Sequence, residues 1–225
     1  MDRPSFARVS PLLDADELAA LERLGQLTGH RKDDVIIAEG AESSHALLIK
    51  QGHVKVVIGN PARIIAIYGC GDIVGAVGAI GGTARRVASA VAINDVRVVW
   101  LPADRLREYV LSRPRVAIAL MRITQQRLDR LSEGFADSDP AAEQRFAKGL
   151  AYLVDIGLGQ RTSAGTKLPF SLRELAGLIG GNAAEPVLRA VQALRATGVV
   201  RTGRAELTVV DLPALRDIAG GARTS

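Results

Sequence analysis

Cysteine is almost missing from this chain: Cys70 stands alone among 225 residues. That excludes a disulfide framework and leaves no thiolate cluster for zinc or an iron–sulfur centre. The three histidines, His30, His45 and His53, share no metal-ligand spacing, so no metal site is expected and locally bonded or solvated rings are. No apolar run approaches the ~18 residues needed to span a bilayer. The start, Met1-Asp2-Arg3-Pro4, mixes charges and has no apolar signal core. The expectation is a cytoplasmic protein with no membrane partner. Nucleophile–base pairs, carboxylate dyads and metal clusters are also lacking, so no catalytic residue and no enzyme are expected.

What is present is a globular composition, 48% hydrophobic and 24% charged, in a chain long enough for two domains. The net charge of +5 is unevenly placed. Residues 145–225 hold 11 Lys/Arg against 6 Asp/Glu, while residues 1–144 balance at 18 of each. A basic excess confined to one end suits attraction to phosphate.

The same end carries the sharpest motif. Ser171 and Glu174 form an S-x-x-E capping box, which predicts a helix start. Leu175, Leu178 and Ile179 give that helix an apolar stripe, and Gly180-Gly181 ends it. Asn182, followed by Glu185, signals a second helix, with Pro186 in its first turn, where a missing N–H costs little. In that second helix Val187, Val191 and Leu194 are inward positions, and Glu185, Leu188, Arg189 and Gln192 face outward. Two short helices joined by a glycine turn read as a helix-turn-helix. Val199–Arg204 and Leu207–Val210 then predict a hairpin, the wing of a winged helix.

Upstream, residues 11–27 have a helical period with Asp14 as N-cap. Short β-branched runs follow at Val35–Ile37, Val54–Ile58, Ile64–Ile67, Val87–Ala92 and Val96–Leu101, which predict an antiparallel barrel or roll. Leu101-Pro102-Ala103-Asp104 opens a helix. A long helix is predicted from Pro114 to Ser138, with Val116, Leu120, Leu128, Leu131 and Phe135 near one face and Ile123 and Thr124 bridging. That stripe predicts a two-chain seam. Ser138-Asp139-Pro140 is the expected hinge.

The chain resembles the cyclic AMP receptor protein and fumarate–nitrate regulator family of bacterial transcription factors. The likeness rests on Glu39-Gly40, on Gln51-Gly52-His53-Val54-Lys55-Val56, and above all on a cassette running Gly69-Cys70-Gly71-Asp72-Ile73-Val74-Gly75-Ala76-Val77-Gly78 to Arg85-Arg86-Val87-Ala88. Six of the 23 glycines fall within 69–82. Such a segment lets backbone N–H groups approach a phosphate that an arginine neutralises. The resemblance implies an α+β protein: a cyclic-nucleotide-binding-like β-roll over 1–112, a dimerisation helix over 113–138 and a winged-helix DNA-binding domain over 139–225. The iron–sulfur branch's N-terminal cysteine cluster is lacking, and Cys70 reads as a small structural residue.

The match breaks where the family's ligand chemistry lies. Ala76 replaces the glutamate that bonds the ribose hydroxyl in cyclic AMP-binding members, and Val87 replaces their Ser or Thr. Arg86 keeps the arginine position, with Arg85 beside it; the pair is open to another anion or to nearby acidic residues. Alignment from Pro114 puts Leu131 and Ser132 at the base-contacting positions. The pocket positions Gly75, Ala76, Arg85, Arg86, Val87, Ala88, Leu131 and Ser132 are therefore a degenerate set, and cyclic nucleotide is not the expected cofactor.

The DNA end also departs from the family. One extra residue lies between Gly180 and Val187, and Ala184 replaces the first base-reading arginine, while Glu185 and Arg189 are kept. Arginine can donate two bonds to guanine, and Glu185 can accept from cytosine. An ordinary i,i+4 ion pair between them is the alternative. Candidate DNA positions are Ser171, Arg173, Asn182, Ala184, Glu185, Leu188, Arg189, Arg201 and Arg204, the last two as wing phosphate contacts. The expectation is a homodimeric regulator on pseudo-palindromic double-stranded DNA, with RNA polymerase a further partner the resemblance allows. Its rival is a ligand-sensing module whose winged helix makes protein contacts and binds DNA poorly.

Overall fold

The computed structural model describes residues 13–60, 63–82, 84–133, 141–179 and 184–221, without the side chains of 126–133, 141 and 184. The chain divides into two compact units at Leu128/Asp129.

In chain order the first unit holds α1 (Ala15–Glu22), β1 (Gln26–His30), β2 (Val35–Ile37), β3 (His45–Gln51), β4 (Val54–Ile58), β5 (Arg63–Tyr68), β6 (Ile73–Val74), α2 (Ala76–Gly81), β7 (Ser89–Ala92), β8 (Val96–Pro102), α3 (Ala103–Leu111) and the start of α4 (Pro114–Glu133). Its strands form two antiparallel sheets, β1-β8-β3-β6 and β2-β7-β4-β5. The expected roll is there.

Strand β3 explains how the two cores arise. Leu47 and Ile49 point to one face, meeting Val96 and Val98 of β8 and Val54, Ala90 and Ala92 of the other sheet. Ala46 and Leu48 point to the opposite face, where Val99, Leu101, Leu21, Leu106 and Val116 bury them. A strand covered on both faces has a continuous apolar run and no alternation to betray it.

Several boundaries differ from expectation. The helix expected over 11–27 is α1 alone, capped reciprocally by Asp14 and Glu17, and β1 begins at Gln26. Strand β7 starts at Ser89, leaving Val87 73% exposed outside it. On α4, Val116 and Ala119 are buried in the roll's own core, with Leu120 packed against it. Of the expected seam, Val116 and Leu120 are thus committed to the roll, while the side chains of Leu128 and Leu131 lie outside the described residues; the outward apolar residues at this end are Ile118, 51% exposed, and Met121, 71% exposed. Phe135 and the Ser138-Asp139-Pro140 hinge lie outside the described residues.

The second unit contains α5 (Ala141–Asp155), β9 (Gln160–Thr162), β10 (Gly165–Leu168), α6 (Leu172–Ile179), α7 (Ala184–Ala196), β11 (Val200–Thr202), β12 (Leu207–Val209) and α8 (Leu212–Ala219). The predicted hairpin β11–β12 is present and is joined by β10 and β9 into one antiparallel sheet. Phe146, Leu150, Phe170, Leu175, Leu194 and Leu215 are fully buried beneath the helices. Asp211 caps α8 by accepting from the Ala214 N–H at 2.9 Å.

Candidate functional site

The cassette is built around the backbone near Arg86. The Gly40 N–H donates to the Arg86 carbonyl and the Arg86 N–H to the Ala41 carbonyl, both at 2.8 Å, while Ser43 N–H donates to Ala84 O at 3.2 Å. Glu42 and Arg85 form an isolated antiparallel bridge within this stretch. Successive side chains on extended backbone alternate in direction. Arg86 therefore turns inward, 7% exposed, while Arg85 and Val87 turn outward. Arg85 donates from Nη1 to the Gly40 carbonyl at 2.8 Å. Its side chain lies on the exposed side of this stretch.

The buried guanidinium of Arg86 donates from Nη1 to the Gly75 carbonyl at 3.3 Å and from Nη2 to the His45 carbonyl. Burial holds its pKa below the ordinary arginine value. Among the described residues, no carboxylate forms an ion pair with it. Gly75, at φ 77°, is the N-cap of α2, and Ala76 opens that helix. At its far end Arg107 donates from Nε to Ile80 O at 3.0 Å and from Nη2 to Ala79 O at 3.2 Å. The short cassette helix is thus held at both ends by arginine.

Sequence reasoning did not single out Ser43 or Arg107, and it read His45 as one of three ordinary histidines. The His45 ring lies 4.0 Å from that of Trp100, centroid to centroid, and its Nδ1 is 3.1 Å from Ser44 Oγ. Burial first, and then the charge of Arg86, lower its pKa to about 4. The other two rings match the reading of locally bonded histidines: His30 contacts Thr28 and His53 contacts Asn94. The side chains of Leu131 and Ser132 lie outside the described residues, and Ala88 is half-buried beside the cassette arginine. Cys70 donates from Sγ to Lys50 O at 3.1 Å, a turn contact.

In the second unit the capping box forms as expected. Glu174 N–H donates to Ser171 Oγ at 3.3 Å, and Ser171 N–H and hydroxyl both donate to the Glu174 carboxylate, at 3.0 and 2.9 Å. The hydroxyl of Ser171 is thereby engaged inside the fold. Along α7, Val187, Ala190, Val191 and Leu194 are buried, leaving Glu185, Leu188, Arg189 and Gln192 on the solvent face. No ion pair joins Glu185 to Arg189 among the described residues. Arg173 is exposed on α6. Arg201 lies on β11 opposite Thr208, and Arg204 sits in the wing turn closed by Gly203 N–H donating to Glu206 O at 2.8 Å. Lys167 of β10 pairs with Glu206 at 2.5 Å. Asn182 and the inter-helix turn, 180–183, lie outside the described residues, as does the side chain of Ala184.

A β-roll whose glycine cassette closes on an inward arginine defines the cyclic-nucleotide-binding class of domain, and the family model described as "Cyclic nucleotide-binding domain" matches residues 29–113. A Mycobacterium tuberculosis protein named CRP-like cAMP-activated global transcriptional regulator is 28% identical over 128 residues, covering 56% of this chain and 57% of its own length. The Pycsar effector protein PaPycTIR of Pseudomonas aeruginosa is 33% identical over 113 residues, 50% of this chain and 35% of that protein. The chain therefore spans little more than half of the first relative and about a third of the second. A solved Thermus thermophilus transcriptional regulator of the CRP family, 25% identical, superposes with a TM-score of 0.69 over 88% of this chain and 100% of its own. A second from that organism, described as CRP/FNR family, gives 0.70 at 22% identity, over 87% and 99%. Residues 29–113 thus carry a cyclic nucleotide-binding domain, and the chain as a whole is similar to transcriptional regulators of the CRP/FNR family.

Proposed function

We propose that the chain is a homodimeric, sequence-specific DNA-binding transcriptional regulator whose effector pocket has moved away from cyclic nucleotide recognition. The observation that carries the DNA reading is the face of α7. It buries Val187, Val191 and Leu194 and offers Glu185, Leu188 and Arg189 to solvent near its N-terminal end. Recognition helices read base edges in the major groove from that end. Arg189 can donate twice to guanine O6 and N7, Glu185 can accept from cytosine N4, and Leu188 can touch a thymine methyl. Two such helices in a two-fold dimer would meet half-sites about one turn, ~34 Å, apart.

The pocket reading rests on Ala76 and Val87. Neither can hydrogen-bond a sugar hydroxyl or phosphate through its side chain; the loss at the partly buried Ala76 costs roughly 1–3 kcal/mol, and the loss at Val87, 73% exposed, costs less. The named M. tuberculosis relative is cAMP-activated; here we expect cyclic AMP to bind only above the micromolar range. Calorimetry at physiological salt checks this, and sub-micromolar binding would overturn it. For the DNA, selection on random duplexes should enrich a pseudo-palindrome. Arg189→Ala should lose roughly 1–3 kcal/mol per half-site and flatten one position in each half. An unchanged motif from that variant would remove Arg189 from base reading. No catalytic role is assigned to any residue, and RNA polymerase is the further partner such a regulator would engage.

A further inference from the structure

Leu188 stands apart in the second unit: among the described residues there, it is the one large apolar side chain left exposed, at 49%. It shares the solvent face of α7 with Glu185, three residues before it, and Arg189, directly after it. An α-helix turns about 100° and rises about 1.5 Å per residue. Seen down the axis, Glu185 therefore lies between the other two, about 60° from Leu188 and about 40° from Arg189. The three span only about 6 Å of axis, within reach of one base pair. Taken in order around the helix, they present an apolar surface, a carboxylate acceptor and a guanidinium donor. Among the described residues no ion pair ties Glu185 to Arg189, so neither is spent on the other.

We propose that this face of α7 reads the methylation state of cytosine: Leu188 packs on the 5-methyl group of the cytosine whose amino group Glu185 accepts. This rests on the DNA reading above and deepens it. Across the major groove a C·G pair offers, in order, the cytosine C5 edge, the N4 amino donor, and the guanine O6 and N7 acceptors. Glu185 matches the donor and Arg189 the two acceptors. The remaining place, C5, falls to Leu188 and carries only hydrogen in unmodified DNA. A methyl group there adds apolar surface and leaves the pairing edge unchanged. A T·A pair carries the same methyl but fails beside it, since thymine O4 is an acceptor and would meet the Glu185 carboxylate. Guanine opposite 5-methylcytosine is the pair that sets all three groups in the order the helix presents. Burying one methyl group against Leu188 corresponds to about fourfold in affinity per half-site.

The test starts with the full chain selecting duplexes from a random pool, and Glu185→Ala, selected in parallel, marks the cytosine position that Glu185 reads. Synthetic operators then carry cytosine or 5-methylcytosine at that position in both half-sites. Fluorescence anisotropy at fixed salt measures their affinity for the parent chain and for Leu188→Ala. Each variant places alanine on an exposed helix face, where it favours the helix, and thermal unfolding checks that it folds. The parent should bind the methylated operator about fifteenfold more tightly over the two half-sites, and Leu188→Ala should bind both operators alike. Equal binding of the two operators by the parent overturns the proposal, as does a methyl preference that survives Leu188→Ala. Deoxyuridine in place of each operator thymine removes its methyl group. A Leu188-dependent loss there would assign Leu188 to a neighbouring thymine and also overturns the proposal, as does a motif with no Glu185-dependent cytosine. In all these cases an enriched motif leaves the DNA reading standing. A selection that enriches no motif sinks that reading and this proposal together, and leaves Leu188 to a protein partner.

Discussion

Arg86 holds Gly75 from inside the roll: its Nη1 donates to the Gly75 carbonyl at 3.3 Å, at the residue that caps the cassette helix. A Cβ built there would meet the guanidinium, so a side chain at this position requires Arg86 to shift. Gly75 also sits at φ 77°, where an L side chain is strained.

Gly75→Ala should therefore cost more than its backbone strain of about 1–2 kcal/mol. Gly71 provides the comparison. It has φ 89° and nothing within 4 Å of a built Cβ, so Gly71→Ala should cost only the strain. Urea unfolding of both variants measures the difference, which is the share due to displacing Arg86. Equal losses would show that Arg86 moves aside freely.

His45 predicts a pH dependence. In the folded chain its ring stays neutral down to about 4, whereas the unfolded ring takes a proton near its ordinary 6.5. Between those values the unfolded state binds more protons, so stability falls as pH drops through that window and is unaffected above it. The ring is only about half buried, and with solvent screening the loss should be about 1–2 kcal/mol. Urea midpoints at pH 7.5 and 4.5 should differ less in His45→Gln than in the parent chain. An identical slope would place the effect elsewhere.

The outward face of α4 predicts where two copies meet. Ile118 and Met121 are exposed while Val116 and Ala119 are committed to the roll. Ile118→Lys with Met121→Lys should leave each copy folded and give monomers in light scattering, because burying two added charges in an apolar seam costs several kcal/mol. A persistent dimer would move the seam off this face.

The wing predicts a contrast in salt dependence. Arg201 and Arg204 are exposed on or beside the β11–β12 hairpin, as phosphate contacts would be. Arg201→Ala and Arg204→Ala should each weaken binding to all duplexes alike and lower the slope of log K against log salt by ~0.9. Titration from low to high salt on matched and mismatched duplexes reads both quantities. A loss confined to one sequence would make either residue a base reader.

Much of the chain was legible because its signals are local. The Ser171–Glu174 box, the inward Val187-Val191-Leu194 stripe and the β11–β12 hairpin depend on neighbours within a few residues. Strand β3 was not legible. Its run Ala46–Ile49 is buried on both faces and so lacks alternation, and β1 was absorbed into a helical period that α1 leaves at Glu22. The i,i+4 pair between Glu185 and Arg189 has the right spacing, yet spacing does not make a contact when both side chains are free in solvent.

The sequence by itself determined the helix pair and hairpin of the second unit, the glycine framework of the cassette and the losses at Ala76 and Val87, because these are properties of single residues and short spacings. Tertiary structure alone decided that Arg86 faces inward while Arg85 faces out, that Val116 belongs to the roll, and that Ser43 and His45 join Arg86. The first and last depend on pairings between segments about 40 residues apart, Gly40–Ser43 with Ala84–Arg86, whose register sets which side of the backbone each side chain takes, and the second on packing of α4 against residues as distant as Leu21 and Leu48.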